Sequence, residues 1–93
     1  MITVTRKGNL IKAEGHTGKK GESLLCCSVS TLMWGLADAL DSANLNPSVD
    51  EAYGYQEVYC KDCEKAKIIM NSYAKNLKDL ATLYPEEIIY KEE

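Results

Sequence analysis

The sequence predicts an α+β fold in which two amphipathic helices pack on one small mixed sheet, in the order β-β-α-β-α-β. Three observations predict it. The chain opens on residues that alternate apolar and polar, the period of a half-buried strand. Two long segments repeat apolar residues at the spacing of a helix with one buried face. Short alternating segments stand before and after the second of those helices, so strands and helices are interleaved along the chain rather than grouped.

The elements follow in order. Ile2 and Val4 alternate with Thr3 and Thr5, Lys7-Gly8-Asn9 supplies turn chemistry, and Leu10 to Gly15 returns as the second strand of a hairpin. From Leu24 to about Ala43 the apolar positions are Leu25, Val29, Leu32, Met33, Leu36, Leu40 and Ala43, a one-faced helical spacing. Ser23 stands where an N-cap belongs, and Asn44 to Pro47 closes the helix. The stretch "SVDEAYGYQEVYC" sets Tyr53, Tyr55, Glu57 and Tyr59 against Gly54, Gln56 and Val58 and reads as one strand. A second helix is expected from about Asp62 to Leu83, with Ala66, Ile69, Met70, Tyr73, Leu77, Leu80 and Tyr84 on one side. Pro85 stops it and "EEIIYK" forms a short last strand. No repeat, linker or low-complexity segment interrupts residues 1–93, which read as a single domain. The four-stranded sheet so expected has one face bare of helices and decorated with tyrosines, which suggests a homodimer.

Composition bounds the function. Apolar residues make up 45% and charged residues 27% of the 93, a soluble globular balance. The longest uncharged stretch, Ser23 to Ala37, is shorter than the roughly 20 apolar residues of a membrane span, and no signal-peptide leader precedes the first strand. A cytoplasmic location is therefore expected. The net charge of −3, with acids and bases interleaved, lacks the concentrated basic face that nucleic acid requires; Lys19 and Lys20 are a pair, not a patch. In such a compartment the four cysteines are expected to be reduced thiols, catalytic groups or metal ligands rather than a disulfide framework.

The segment "GHTGKKGESLLCCSVS" holds the one histidine of the chain, His16, and two cysteines, Cys26 and Cys27. A cysteine attacks as its thiolate, and a helix N-terminus or an adjacent histidine favours that form. With Ser23 as N-cap, Cys26 falls in the first helical turn, where free backbone N–H groups also suit an oxyanion. His16 leaves the end of a strand, a fixed place for a general base. Cys27 lies about 100° further round the helix, so both thiols cannot face His16 equally. Cys26 shares a face with Ser30 and is the expected nucleophile, while Cys27 is expected to be a packed small residue. A lone histidine and a lone cysteine are more often structural, and the pattern by itself leaves that alternative open.

"EGH" closing an N-terminal hairpin, then a glycine-containing segment, then "CCSVS" opening a helix, resembles the ribosomal-processing cysteine protease family called Prp. The likeness extends to the "MITV" opening, the length and the element order. It implies a small, dimeric, cytosolic endopeptidase that removes a short N-terminal extension from the twenty-seventh protein of the large ribosomal subunit, cutting after a hydrophobic, Phe-containing sequence. The family's catalytic histidine falls on His16, its catalytic cysteine on Cys26 and a serine four residues on at Ser30. The segment Thr17 to Glu22 corresponds to a loop that closes over substrate, with Gly18 and Gly21 as hinges. Thr17 replaces the family's usual alanine, Ser23 an aspartate, Leu25 a valine and Cys27 a small alanine, and the loop is shorter and carries Lys19 and Lys20.

On this reading Cys26 attacks the scissile carbonyl after losing its proton to His16, which then protonates the leaving amine. Glu14 is the candidate to orient His16, although such a residue is more often a solvated strand charge. No cofactor is called for, and no metal site is assigned. Cys60 and Cys63 form a C-x-x-C that is half a zinc site or a redox pair in other settings, but here it lacks a complement and reads as incidental thiols. Three other readings stand beside the endopeptidase: a non-catalytic protein-binding domain of the same fold, a protease of a phage capsid protein, and a redox or metal module built on Cys60 and Cys63.

Overall fold

The computed structural model describes residues 1–16 and 24–93. Its elements are β1 (Ile2–Lys7), β2 (Leu10–Gly15), α1 (Leu24–Ser42), β3 (Ser48–Ala52), β4 (Tyr55–Tyr59), α2 (Glu64–Leu83) and β5 (Ile88–Glu92). They form a mixed five-stranded sheet in the order β3-β4-β2-β1-β5, antiparallel throughout except for the parallel pair β1 and β5. The α+β class and both helices are as expected.

One element differs. The expected single strand over "SVDEAYGYQEVYC" is a hairpin, β3 and β4, with Ala52 paired to Tyr55. Tyr53 and Gly54 alone make the loop, and Gly54 supplies the left-handed φ of 71° that so tight a reversal needs. The alternation continues across the turn, which made two strands look like one.

The core lies between the helices and one face of the sheet. Ile2, Val4, Ile11, Ala13, Val58 and Ile88 project from the sheet into Val29, Met33, Leu36, Ala37 and Leu40 of α1 and Ala66, Met70, Ala74, Leu77 and Ala81 of α2. α1 is long and apolar enough to cross a membrane by length and composition, yet its apolar stripe is spent on this core and Asp38 and Asp41 face solvent. It closes at left-handed Asn44 (φ 60°), whose N–H reaches the Asp41 carbonyl at 2.9 Å. Among the described residues, no helix covers the other face of the sheet. Tyr55 there donates to Glu57 at 2.9 Å, which together with burial raises its phenol, and Lys12 pairs with Glu14 at 3.2 Å.

α2 starts two residues later than expected because Cys63 is its N-cap, with an extended backbone and a Sγ that accepts from the Ala66 N–H at 3.4 Å. Sulfur is a weak acceptor. Cys63→Ser is therefore expected to stabilise the protein by about 0.5 kcal/mol, measured by denaturant unfolding; a loss of stability would show that the thiol does more than cap.

Tyr90, in the middle of β5 and packed against the core, is pushed up to about 12, first by burial and then by its 2.9 Å hydrogen bond to Glu92. A raised phenol binds its proton more tightly in the folded state, so its contribution is complete below about pH 10, the value of an unstructured tyrosine, and is lost as pH rises towards about 12. Unfolding midpoints across that window are expected to fall, and to fall less steeply in Tyr90→Phe.

Candidate active site

Three separate parts of the chain meet at one end of the sheet. The first is the end of β2. Gly15 has a φ of 99°, and a Cβ there would lie 2.2 Å from the Met1 carbonyl oxygen, so only glycine fits. Its N–H donates to the Gly54 carbonyl at 2.9 Å, and the carbonyl of the next residue, His16, accepts from the Met1 nitrogen at 2.5 Å. The backbone of His16 is thus pinned on two sides. Gly15→Ala is expected to cost roughly 1–3 kcal/mol in backbone strain, read as a lowered melting temperature, and to shift His16 because Met1 or Gly15 must move.

The second part is the β3–β4 turn. The Tyr53 ring lies against the His16 imidazole with centroids 4.5 Å apart and planes tilted by 37°. Gly54 comes so close that a Cβ on it would be 2.6 Å from His16 Cε1. The third part is the first turns of α1, which contribute Cys26, Val29, Ser30 and Trp34. Together these parts enclose an open cleft of about 570 Å³, with Glu51 and Gln56 on its β3–β4 wall and Ile2 and Ala13 from the sheet.

His16, Cys26 and Ser30 therefore line one cleft. Cys26 is half-buried, the third residue of α1 and in its first turn, where backbone N–H groups have no partner within the helix and the dipole favours an anion. Glu14 is not on the cleft wall: its carboxylate pairs with Lys12 along β2. Ser23, Gly18 and Gly21, with the rest of Thr17 to Glu22, lie outside the described residues.

Cys27 is not packed, as expected, but exposed. The buried stripe of α1 runs through Val29, Met33, Leu36 and Leu40, and extending it one turn back reaches Leu25 and Cys26. Cys27 falls on the solvent side with Thr31, Trp34 and Asp38. Leu25 and Leu32, counted on the apolar side of the helix, are only half-buried.

Cys60 and Cys63 lie elsewhere, around the start of α2, and have structural places. Cys60 is in the core, its Sγ donating to the Leu45 carbonyl at 3.6 Å, and burial pushes its thiol up. Cys63 caps α2. None of the four cysteines forms a disulfide. Among the described residues, no three histidine, cysteine or acidic side chains converge as metal ligands would.

The sequence reading missed Tyr53, Gly54, Trp34, Glu51 and Gln56. An X-Gly pair between two alternating runs was the available signal for the turn; nothing local marks Trp34, exposed on its helix, as a cleft residue.

No curated protein matches the chain. In structure it is similar to an essential ribosomal processing protease, Prp, from S. aureus, solved with a covalently linked product peptide: 21% identity, TM-score 0.89, all of both chains covered. The same protease solved with a substrate peptide gives 20% identity and a TM-score of 0.87, again over all of both chains. A Streptococcus mutans protein is 24% identical with a TM-score of 0.74, covering 98% of this chain and 90% of that one. At these identities the likeness is one of fold. The family model described as cysteine protease Prp matches residues 1–89. With nearly its whole length matched, this chain belongs to the cysteine protease Prp family.

Proposed function

We propose that this protease removes a short N-terminal extension from the twenty-seventh protein of the large ribosomal subunit, with Cys26 as nucleophile and His16 as general base and acid. The observation that carries the reading is the convergence of His16, Cys26 and Ser30 on one cleft at the start of α1. The S. aureus relative is a ribosomal processing protease solved with peptides, which supports the choice of substrate.

In this mechanism His16 takes the Cys26 thiol proton and the sulfur attacks the scissile carbonyl carbon. The oxyanion forms beside the N–H groups that open α1, worth several kcal/mol in comparable sites, on the order of a 10²- to 10³-fold rate effect per donor. The C–N bond then breaks as His16 returns the proton to the leaving amine. Water, deprotonated by His16, hydrolyses the thioester and restores the thiol. The Ser30 hydroxyl, one turn along from Cys26, helps orient the groups at the site. An apolar and aromatic wall including Trp34, Val29 and Ile2 suits a substrate with hydrophobic residues before the cut.

We further propose that the enzyme acts in the cytoplasm as a homodimer. The helix-free face of the sheet, with Tyr55, Tyr59 and Ile89, supports the second point. Sedimentation of the purified protein at micromolar concentration is expected to give twice the monomer mass; a monomer throughout would remove this part of the reading.

The substrate proposal is tested by incubating the protein with a precursor of that ribosomal protein bearing a Phe-containing N-terminal extension and following the products by mass spectrometry. Release of the extension as one fragment is expected. An intact precursor, under conditions where other extended peptides are cut, would assign the cleft to a different substrate.

A further inference from the structure

We propose that Tyr53 and Gly54, the two-residue turn between β3 and β4, are the positioning residues of His16, doing here what an acidic side chain does in a three-membered catalytic group. The inference rests on the catalytic reading of His16.

An imidazole has two rotatable side-chain bonds, and a general base must keep one nitrogen aimed at the thiol through both proton transfers. A carboxylate hydrogen-bonded to the other nitrogen is one way to do this. The acid closest in sequence and the acid on the cleft wall both have other partners. Glu14, two residues before His16, pairs with Lys12 at 3.2 Å. Glu51, on the cleft wall, accepts from the Gln56 side chain at 3.3 Å.

The turn, by contrast, meets the ring directly. Tyr53 covers one face at a centroid distance of 4.5 Å. Gly54 meets the ring at Cε1, the carbon between the two nitrogens; the position a Cβ would take is 2.6 Å from Cε1, 3.1 Å from Nε2 and 3.3 Å from Nδ1. A face stop and an edge stop together restrict both rotations. The Gly15 N–H bond to the Gly54 carbonyl fixes the turn to the strand end that carries His16, so base and stops move as one piece. The aromatic face also attracts the imidazolium that exists between the two proton transfers, an interaction absent while the ring is neutral. Positioning of this kind acts on kcat more than on KM.

The test uses the full chain, which has one histidine and hence one imidazole Cε1–H resonance. In the unmodified protein that proton is expected to lie upfield, shifted by the Tyr53 ring. Tyr53→Leu should return it towards the position of an unstacked histidine and lower kcat roughly 10- to 100-fold with little change in KM, the scale of a misplaced catalytic group. Tyr53→Phe should restore both. Gly54→Asn keeps a residue that tolerates positive φ while adding a Cβ that the imidazole must move to accommodate, and should lower kcat by far more than its loss of melting temperature. An unshifted resonance in the unmodified protein, or a Tyr53→Leu variant that loses the shift and keeps kcat, would overturn the proposal. His16→Ala, run in parallel, separates this from failure of the catalytic reading: full-rate cleavage by His16→Ala would overturn that reading and the proposal with it, whereas an inactive His16→Ala beside a Tyr53→Leu variant that keeps kcat overturns the proposal alone.

Discussion

Cys26→Ala is expected to abolish peptide cleavage, with a loss on the order of 10⁴-fold or more in kcat, because alanine leaves no group to form the acyl-enzyme. His16→Gln should come close to it: glutamine keeps a planar polar side chain but does not shuttle a proton. The two losses should not add, since each removes the same step. Cys27→Ala should cleave at the rate of the unmodified protein, because Cys27 points to solvent on the Thr31 side of α1. A second readout needs no substrate. Brief alkylation followed by peptide mass mapping should label Cys26 faster in the unmodified protein than in His16→Gln, while Cys60, buried and with its thiol pushed up, should be the last to react. Equal labelling of Cys26 in both proteins, with cleavage intact, would dissolve the pair.

Leu36→Ala is the substitution expected to cost the most stability. Leu36 is fully buried at the centre of the α1 stripe, with Met33 and Leu40 a turn away on either side, and removing its branched end opens a cavity in a packed layer. Such changes cost about 2–5 kcal/mol, out of a total that for small domains is only about 5–15 kcal/mol. For a chain of this size that corresponds to a melting temperature lower by roughly 10 °C or more. Leu83→Ala at the end of α2 is the control. Leu83 is 71% exposed, and its loss should stay within about 0.5 kcal/mol. Similar losses at the two positions would mean that the core is not where the buried stripe puts it.

The fold was legible in the sequence wherever one periodicity ran long enough to declare itself. Nineteen residues of α1 and twenty of α2 repeat the helical spacing over about five turns each, and both helices lie where that spacing puts them, α2 beginning two residues later than expected. The first hairpin was announced by Lys7-Gly8-Asn9. The second was not, because its two strands continue one alternation across Tyr53-Gly54 and the reversal depends on a single φ at Gly54. That miss concealed half of the site: with 48–60 taken as one strand, nothing brings Tyr53, Gly54, Glu51 or Gln56 to His16.

The sequence by itself determined the class of the fold and the two helical faces in outline, and it marked one histidine and a cysteine opening a helix as candidates, since these are local facts of residue type and spacing. Only the tertiary structure decided which thiol of the adjacent pair faces the cleft, what stands against the imidazole, and what becomes of Glu14. Those are questions of contact between residues far apart in the chain: His16 meets Tyr53 because β2 pairs with β4, and β4 with β3. Local periodicity records how each segment divides itself between core and solvent. The registers that join the segments arise from packing the whole sheet at once, and no single stretch of residues contains them.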